Sequence, residues 1–306
     1  MSQRTALRPI LRPRLFAATM STQVAVAAAV AGIGFYALYS RRNAAPSDKP
    51  IFSSFGFNKL KLHSTELINH NTKKLRFELP NADQPSGLTL SSALLTVSFP
   101  SGRWLPVLRP YTPTNDLDEK GFVELMVKHY PGGKQSTHIH SLKPGDTLTF
   151  APIPELKWTP NQHEHVAMIA GGAGISPMYQ LARGILKNPA DKTRITLVWG
   201  VNTDEDLFLA NEFNAMQAKY PGRVKVVYVV AQPSASSPHP KGFVTKQILE
   251  SAGVSPTNEK NKDTKVVVCG PPPMEKALKG TKSLFGGVQG GVLAELGYKP
   301  EQVFSF

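Results

Sequence analysis

At about residue 165 the chain changes its hydrophobic rhythm, and no other feature constrains its fold as strongly. Before that point, apolar residues alternate in short runs: Lys59–Ile68, Lys73–Leu79, Ala93–Phe99, Phe122–Lys128 and Thr147–Phe150. Gly, Pro and Asn punctuate them. A period of two bounded by turn formers predicts an antiparallel barrel or sandwich of about six strands. After that point, short continuous apolar runs alternate with helical spacing. His165–Ala170 precedes Ile175–Leu186, Arg194–Trp199 precedes Leu207–Lys219, Val224–Val230 follows, and Lys265–Cys269 precedes Met274–Lys279. Strands alternating with helices predict a mostly parallel sheet. The expectation is therefore two domains: an antiparallel β-barrel over residues 53–155, then an α/β parallel-sheet domain over 156–306. A chain of 306 residues is long enough for two separate cores.

In a parallel sheet, ligands bind outside the carboxyl ends of the strands. Two unusual turns fall there. One is Gly171-Gly172-Ala173-Gly174, leading into Ile175-Ser176-Pro177-Met178, where Pro177 suits the first helical turn because its missing N–H costs nothing. The other is Cys269-Gly270-Pro271-Pro272-Pro273-Met274. The first does not match G-x-G-x-x-G, and a single Gly-rich turn also serves tight packing. Two such turns, each ending its own strand, point to a bound ligand. Two further clusters interrupt the barrel pattern. In Arg109-Pro110-Tyr111-Thr112, an Arg can pair with a phosphate, a Tyr can stack on a flat ring, and a hydroxyl can reach a ring nitrogen. In Lys128-His129-Tyr130-Pro131-Gly132-Gly133-Lys134-Gln135-Ser136, paired glycines ahead of an expected helix at Thr137–Leu142 can offer backbone N–H groups to a diphosphate. Taken alone, the first is more often a strand end and the second more often a turn.

Cys269 is the only cysteine, which excludes an intrachain disulfide, a Cys-rich zinc site and a four-cysteine iron–sulfur cluster. The histidines show no metal-ligand spacing, so no metal is expected. No His–Asp pattern supports Cys269 as a nucleophile, which leaves packing or ligand contact. Of the net charge of +13, six units are arginines within residues 1–47, a stretch with no acid, so residues 48–306 carry +7. That modest field suits an acidic partner. It lacks the Lys/Arg stripe interleaved with aromatics that nucleic acid requires. Residues 1–20, rich in Arg, Ser, Thr and Ala, have the composition of a mitochondrial targeting segment. Within 21–40, Gln23–Tyr39 is 17 residues without charge, ending at Tyr36, Tyr39 and Arg41-Arg42. It is expected to be a single-span membrane anchor, with 41–52 as a linker.

These motifs occur in one order along the chain and finish with Val303-Phe304-Ser305-Phe306. Over about residues 53–306 the sequence closely resembles the NADH–cytochrome b5 reductases of the ferredoxin–NADP reductase superfamily. With its N-terminal anchor it looks like the fungal mitochondrial form. The resemblance implies an FAD-binding barrel, a nicotinamide-nucleotide domain, and a site residue by residue. Arg109, Pro110, Tyr111 and Thr112 would hold the flavin, with Thr112 near its hydride-accepting nitrogen. Lys128 would contact NADH. Tyr130, Gly132, Gly133, Lys134, Gln135 and Ser136 would run along the FAD diphosphate. Gly171, Gly172, Ala173, Gly174, Ser176, Pro177 and Met178 would serve flavin and nucleotide together. Cys269, Gly270, Pro271, Pro272 and Met274 would form the second nucleotide turn, with Cys269 beside the nicotinamide and Phe306 near the flavin. Thr112, Lys128 and Cys269 are the residues expected closest to the chemistry.

The implied reaction passes a hydride from NADH to FAD and then single electrons to cytochrome b5 or a similar acidic haem protein. The implied setting is a monomer anchored in the mitochondrial outer membrane, with a processed intermembrane-space form. Many members have Thr where this chain has Ala173. An acid is common after the strand corresponding to Val224–Val230, where this chain has Ala231-Gln232, which loosens the inference of NADH over NADPH. Two other readings stay open: a reductase of the same superfamily with a quinone or ferric acceptor, and a non-catalytic nucleotide-binding membrane module.

Overall fold

The computed structural model describes residues 49–52, 56–100, 104–153, 156–256, 263–282 and 288–306. The expected targeting segment, anchor and most of the linker lie outside the described residues. Among the described residues no helix is long and apolar enough to cross a membrane.

The first domain is a six-stranded antiparallel sheet. Its strands are β1 (Asn58–Leu67), β2 (Thr72–Glu78), β3 (Ala93–Ser98), β4 (Val107–Tyr111), β5 (Phe122–Lys128) and β6 (Thr147–Ile153), in the order β4-β3-β6-β1-β2-β5. The alternation in β2 shows why the sequence folds this way: Leu75 and Phe77 are buried, and Lys74, Arg76 and Glu78 on the other face are partly exposed. Leu60, Leu62, Leu75, Phe77, Leu94, Leu125 and Phe150 fill the interior. Phe77 and Phe150 meet edge to face with centroids 5.0 Å apart. Beyond β4, the Thr114 N–H donates to the Glu124 carbonyl on β5, drawing the two edges of the sheet together. The alternating pattern had not predicted β4. Pro110 interrupts it, and the strand is tolerated because an edge strand leaves one row of backbone groups unpaired. The expected linker also ends earlier than residue 52, since Phe52 is buried in the barrel core and its N–H donates to Ser86 O.

Helix α1 (Lys134–Ser141) connects β5 to β6. It starts three residues before the expected Thr137, because the turn at Gly132, with φ +74°, delivers the chain directly into helical geometry.

The second domain holds β7 (His165–Gly171), α2 (Ile175–Lys187), β8 (Arg194–Val201), α3 (Ala210–Lys219), β9 (Val224–Val230), α4 (Lys246–Ala252) and β10 (Thr264–Cys269). Next come α5 (Pro272–Lys279), β11 (Thr281–Lys282), β12 (Val288–Gln289), α6 (Val292–Glu295) and β13 (Val303–Ser305). Five strands form a parallel sheet in the order β13-β10-β7-β8-β9. Every residue of β7 is buried, as expected of a central strand covered on both faces. The aromatic C-terminus forms the edge strand β13, paired with β10. Helix α4 was not anticipated, although its signals are present: Thr245 caps the Ile248 N–H, and Gly253 ends the helix in the left-handed region.

His165, at the start of β7, is 1% exposed and sits between two hydroxyls, Thr264 Oγ1 at Nδ1 and Thr196 Oγ1 at Nε2, both at 2.9 Å. Burial, aided by the charge of Arg194, lowers its pKa from 6.5 to about 4. The folded protein thus resists a proton that the unfolded chain accepts, and stability falls as pH drops from 6.5 towards 4. We expect denaturant unfolding to show a loss of about 2 kcal/mol from this group between pH 7 and pH 5. His165→Gln is expected to flatten that part of the slope; an unchanged slope contradicts the assignment.

Candidate active site

From β7 the sheet grows outward to β8 and β9, and the chain then returns to lay β10 on the opposite side of β7. The strand order reverses between β7 and β10, which is where an open α/β sheet leaves a crevice for ligands. Both Gly-rich turns meet there, backbone against backbone. A Cβ on Gly174 would run into the Cys269 carbonyl, and one on Gly171 would strike Met274 Sδ and the Pro271 ring. Gly172 adopts φ +52°, and its carbonyl accepts a hydrogen bond from Trp199 Nε1 at 3.0 Å. The turns hold their shape through close approach and one indole anchor.

A cleft of about 710 Å³ opens in front of them, between the two domains. One wall is the second domain: Gly171, Ala173, Gly174, Ser176, Pro177, Cys269, Gly270, Pro271 and Pro272, with Phe306. The other is the barrel: Arg109, Pro110, Tyr111 and Thr112, then Tyr130 and Gly132 through Ser136. Residues far apart in sequence thus share one space. Helix α1 begins at the cleft. Gly133 caps it without a side chain, and its first turn holds no acid, so its N–H groups are left for a negatively charged ligand. Helix α2 begins there under the same conditions. Burial pushes the Tyr111 hydroxyl up to about 12, so it stays a neutral phenol. Tyr130 is raised in the same direction by burial, and its hydroxyl accepts the Ala173 N–H at 3.4 Å.

A second cavity of about 560 Å³ adjoins the first and shares Tyr130, Gly171 and Pro271 with it. It runs along the ends of β7 and β8 through Gly172, Gly200, Val201 and Asn202 to the exposed ring of Phe243. Lys128 and Met274 line this cavity rather than the first.

Three expected contacts take a different form. The Gln135 side chain is buried: it accepts from Ser98 Oγ at 2.6 Å and donates to Thr96 Oγ1 at 2.8 Å. It braces α1 against β3, leaving only its backbone for a ligand. Met178 is fully buried in the core beneath α2 and lines neither cavity. Lys128 does not end in open solvent. Its ammonium sits 2.7 Å from Asp206, and the two side chains are 7% and 3% exposed. Asp206 also accepts from Asn71 Nδ2 at 2.9 Å and from the Thr203 N–H at 3.2 Å. Burial raises a carboxyl, but hydrogen bonds from Lys128 and Asn71 outweigh it and hold Asp206 below its usual range. The pair straps the barrel to the turn after β8. Asp206 had gone unnoticed in the sequence, although Thr203 and Asp206 have the three-residue spacing of a capping box. Trp199 offered no comparable signal. Among the described residues no cluster of three His, Cys, Asp or Glu side chains could hold a metal.

Comparison with known proteins agrees with this layout. Residues 59–158 match the oxidoreductase FAD-binding domain family, and residues 168–280 the oxidoreductase NAD-binding domain family. The chain is 45% identical over 295 residues to an NADH-cytochrome b5 reductase 2 of Pyricularia oryzae, covering 92% of this chain and 88% of that one. It is 50% identical over 254 residues to the protein of the same name from Botryotinia fuckeliana, covering 82% and 72%. Among solved structures it is similar to the cytochrome b5 reductase domain of Ulva prolifera nitrate reductase. The TM-score is 0.72 at 28% identity, over 86% of this chain and all of that one.

Proposed function

The chain belongs to the NADH–cytochrome b5 reductase family, and from that membership we propose that it takes a hydride from NADH in the interdomain cleft and delivers single electrons to cytochrome b5 or a similar acidic haem protein. It is an oxidoreductase with an FAD-binding and an NAD-binding domain. The observation that carries the reading is the convergence of Arg109–Thr112, the start of α1 and both Gly-rich turns on one cleft at the switch point of the sheet.

The residues fit FAD. A Cβ at Gly133 would collide with Ser136 Oγ and the Tyr130 carbonyl, so glycine keeps this turn tight, and the uncapped α1 terminus that follows, with Lys134, suits a diphosphate. Bound FAD supplies the acceptor for the hydride and the point from which electrons leave one at a time. The protein's part is placement. Tyr111 offers a neutral ring as a wall. Arg109, exposed and held by its Nη1 donating to Leu108 O at 2.7 Å, presents a guanidinium to a phosphate. Hydride transfer needs the reacting atoms within roughly 3–3.5 Å, and Gly171, Gly174 and Gly270 let the two turns that line the cleft pack backbone against backbone, which fixes its wall. Arg109→Ala is expected to lower the flavin-to-protein absorbance ratio after gel filtration. An unchanged ratio contradicts the phosphate role.

The +7 balance of residues 48–306 supports an acidic acceptor over a neutral quinone. The uncharged run Gln23–Tyr39 between arginines supports attachment by a single span, and the acid-free residues 1–20 support delivery to the mitochondrial outer membrane. Steady-state rates with cytochrome b5, a quinone and a ferric chelate test the acceptor. The haem protein is expected to be fastest, with kcat/KM falling as salt screens the encounter. A faster, salt-independent rate with quinone favours the quinone-reductase reading.

A further inference from the structure

Helix α2 leaves the cleft with one stripe of its surface turned to the barrel. Ser176 lines the cleft, and Gln180, Arg183 and Lys187 follow it at spacings of four, three and four, on the same helix face. The barrel segment after β4 climbs that stripe in step. Tyr111 and Thr112 line the other wall of the cleft. The next carbonyl, that of Pro113, accepts from Gln180 Nε2 at 3.2 Å, and the Thr114 carbonyl accepts from Arg183 Nη1 at 2.6 Å. Further along, Lys187 Nζ donates to Asp116 at 2.9 Å and to Asp118 at 2.6 Å. Gly184 lets the helix settle close on the barrel, since an added Cβ would strike the Leu90 side chain. Thr114 is also fixed from behind, where its N–H donates to the Glu124 carbonyl at 2.9 Å.

Gln180 is a costly residue to place in this seam. It is 4% exposed, its amide donates to the carbonyls of Ser92 and Pro113, and its own Oε1 is buried without a partner. An apolar side chain of the same size would avoid leaving a buried acceptor unpaired. It could not, however, hold a carbonyl. Pro113 has no N–H, so its carbonyl is the one backbone group through which the residue next to Thr112 can be held by a hydrogen bond. We propose that Gln180 and Arg183 are positioning residues for hydride transfer: by holding the carbonyls of Pro113 and Thr114 they fix Tyr111 and Thr112 against the Gly-rich turn from which α2 starts. The proposal rests on reading the cleft as the site of hydride transfer. A reaction that needs its atoms within roughly 3–3.5 Å requires the two walls to stay in register. Lys187, whose side chain is 53% exposed, ties only the far end of the seam.

Anaerobic stopped-flow reduction by NADH tests this in the full chain loaded with FAD, comparing the unmodified protein with Gln180→Met, Arg183→Met and Lys187→Met. Gln180→Met keeps the volume and removes the unpartnered oxygen together with the donors, so its unfolding temperature is expected to stay near that of the unmodified protein. We expect the limiting rate of flavin bleaching to fall roughly 10- to 100-fold in Gln180→Met and Arg183→Met, while the Kd values for NADH and FAD change far less. The visible circular dichroism of the bound flavin is expected to shift in the same two variants before NADH is added. Lys187→Met is expected to change the rate by less than about 2-fold, as for an exposed ion pair. A limiting rate retained in both Gln180→Met and Arg183→Met overturns the inference and leaves the reductase function in place. An equal fall in Lys187→Met, or a fall matched by equal losses of FAD affinity and unfolding temperature, also overturns it, because general adhesion of the domains then accounts for the effect. Failure of NADH to bleach the flavin of the unmodified protein overturns the reductase function and the inference with it.

Discussion

Lys128→Met is expected to destabilise the protein by about 3–5 kcal/mol, because it leaves the Asp206 carboxylate buried without its cation. Asp206 is 3% exposed, and its remaining partners are two neutral donors, Asn71 and the Thr203 N–H, and the exposed His70 imidazole at the longer distance of 3.6 Å. Denaturant unfolding measures the loss. Asp206→Asn is expected to be comparably costly, since it strands the ammonium instead. The double variant is expected to cost clearly less than the two single losses added, because the removed groups share one interaction. Additive losses contradict a buried pair. The pH dependence has a fixed sign. Asp206 titrates lower in the folded protein than in the unfolded chain. Its contribution is therefore full above the unfolded carboxyl value of about 3.9 and is lost as pH falls through the lower, folded value. Lys128 lines the second cavity and not the first. Lys128→Met is accordingly expected to raise the KM for NADH more than it lowers flavin content. Equal effects on both would remove that separation of roles.

Gly174→Ala is expected to damage the site more than any other single-methyl change. The added Cβ would overlap the Cys269 carbonyl, which belongs to backbone and cannot swing aside. The two turns must then move apart at the point where both line the cleft. Overpacking of this kind costs about 1–3 kcal/mol, which taken from binding is roughly 5- to 150-fold. Titration of the apoprotein with FAD, followed by NADH reduction, is expected to show both steps weakened. Gly145→Ala is the control: that glycine, unlike Gly174 at φ −62°, has a positive φ, +97°, but has open space around it and lies outside both cavities. Its cost is expected in stability and not in ligand binding. Equal ligand affinities in the two variants contradict a role for close packing of the turns.

The features legible in the sequence are those set by local periodicity. Strands β5 and β9 fall on Phe122–Lys128 and Val224–Val230 as expected, because alternation or a continuous apolar run decides them without help from distant residues. Strand β4 was not visible, since Leu108-Arg109-Pro110-Tyr111 makes sense as a strand only at a sheet edge, and edge position is a property of the assembled barrel. The same distinction holds at the site. Glycine turns and the Arg109–Thr112 cluster announce themselves through residue type. The buried commitment of Gln135 to Thr96 and Ser98, or of Lys128 to Asp206, depends on partners 39, 37 and 78 residues away. No local pattern carries such pairings. Gln180 makes the point most sharply: it lies within an ordinary helical pattern, and only folding brings it to carbonyls 67 and 88 residues away.

The central claim is that the cleft holds FAD and receives a hydride there from NADH. Its most direct test is anaerobic stopped-flow mixing of the FAD-loaded protein with NADH, followed at the flavin absorbance band. The account predicts rapid, saturable bleaching, and return of the band when oxidised cytochrome b5 is added as sole acceptor. A protein that retains no flavin, or whose flavin band persists in excess NADH, contradicts it.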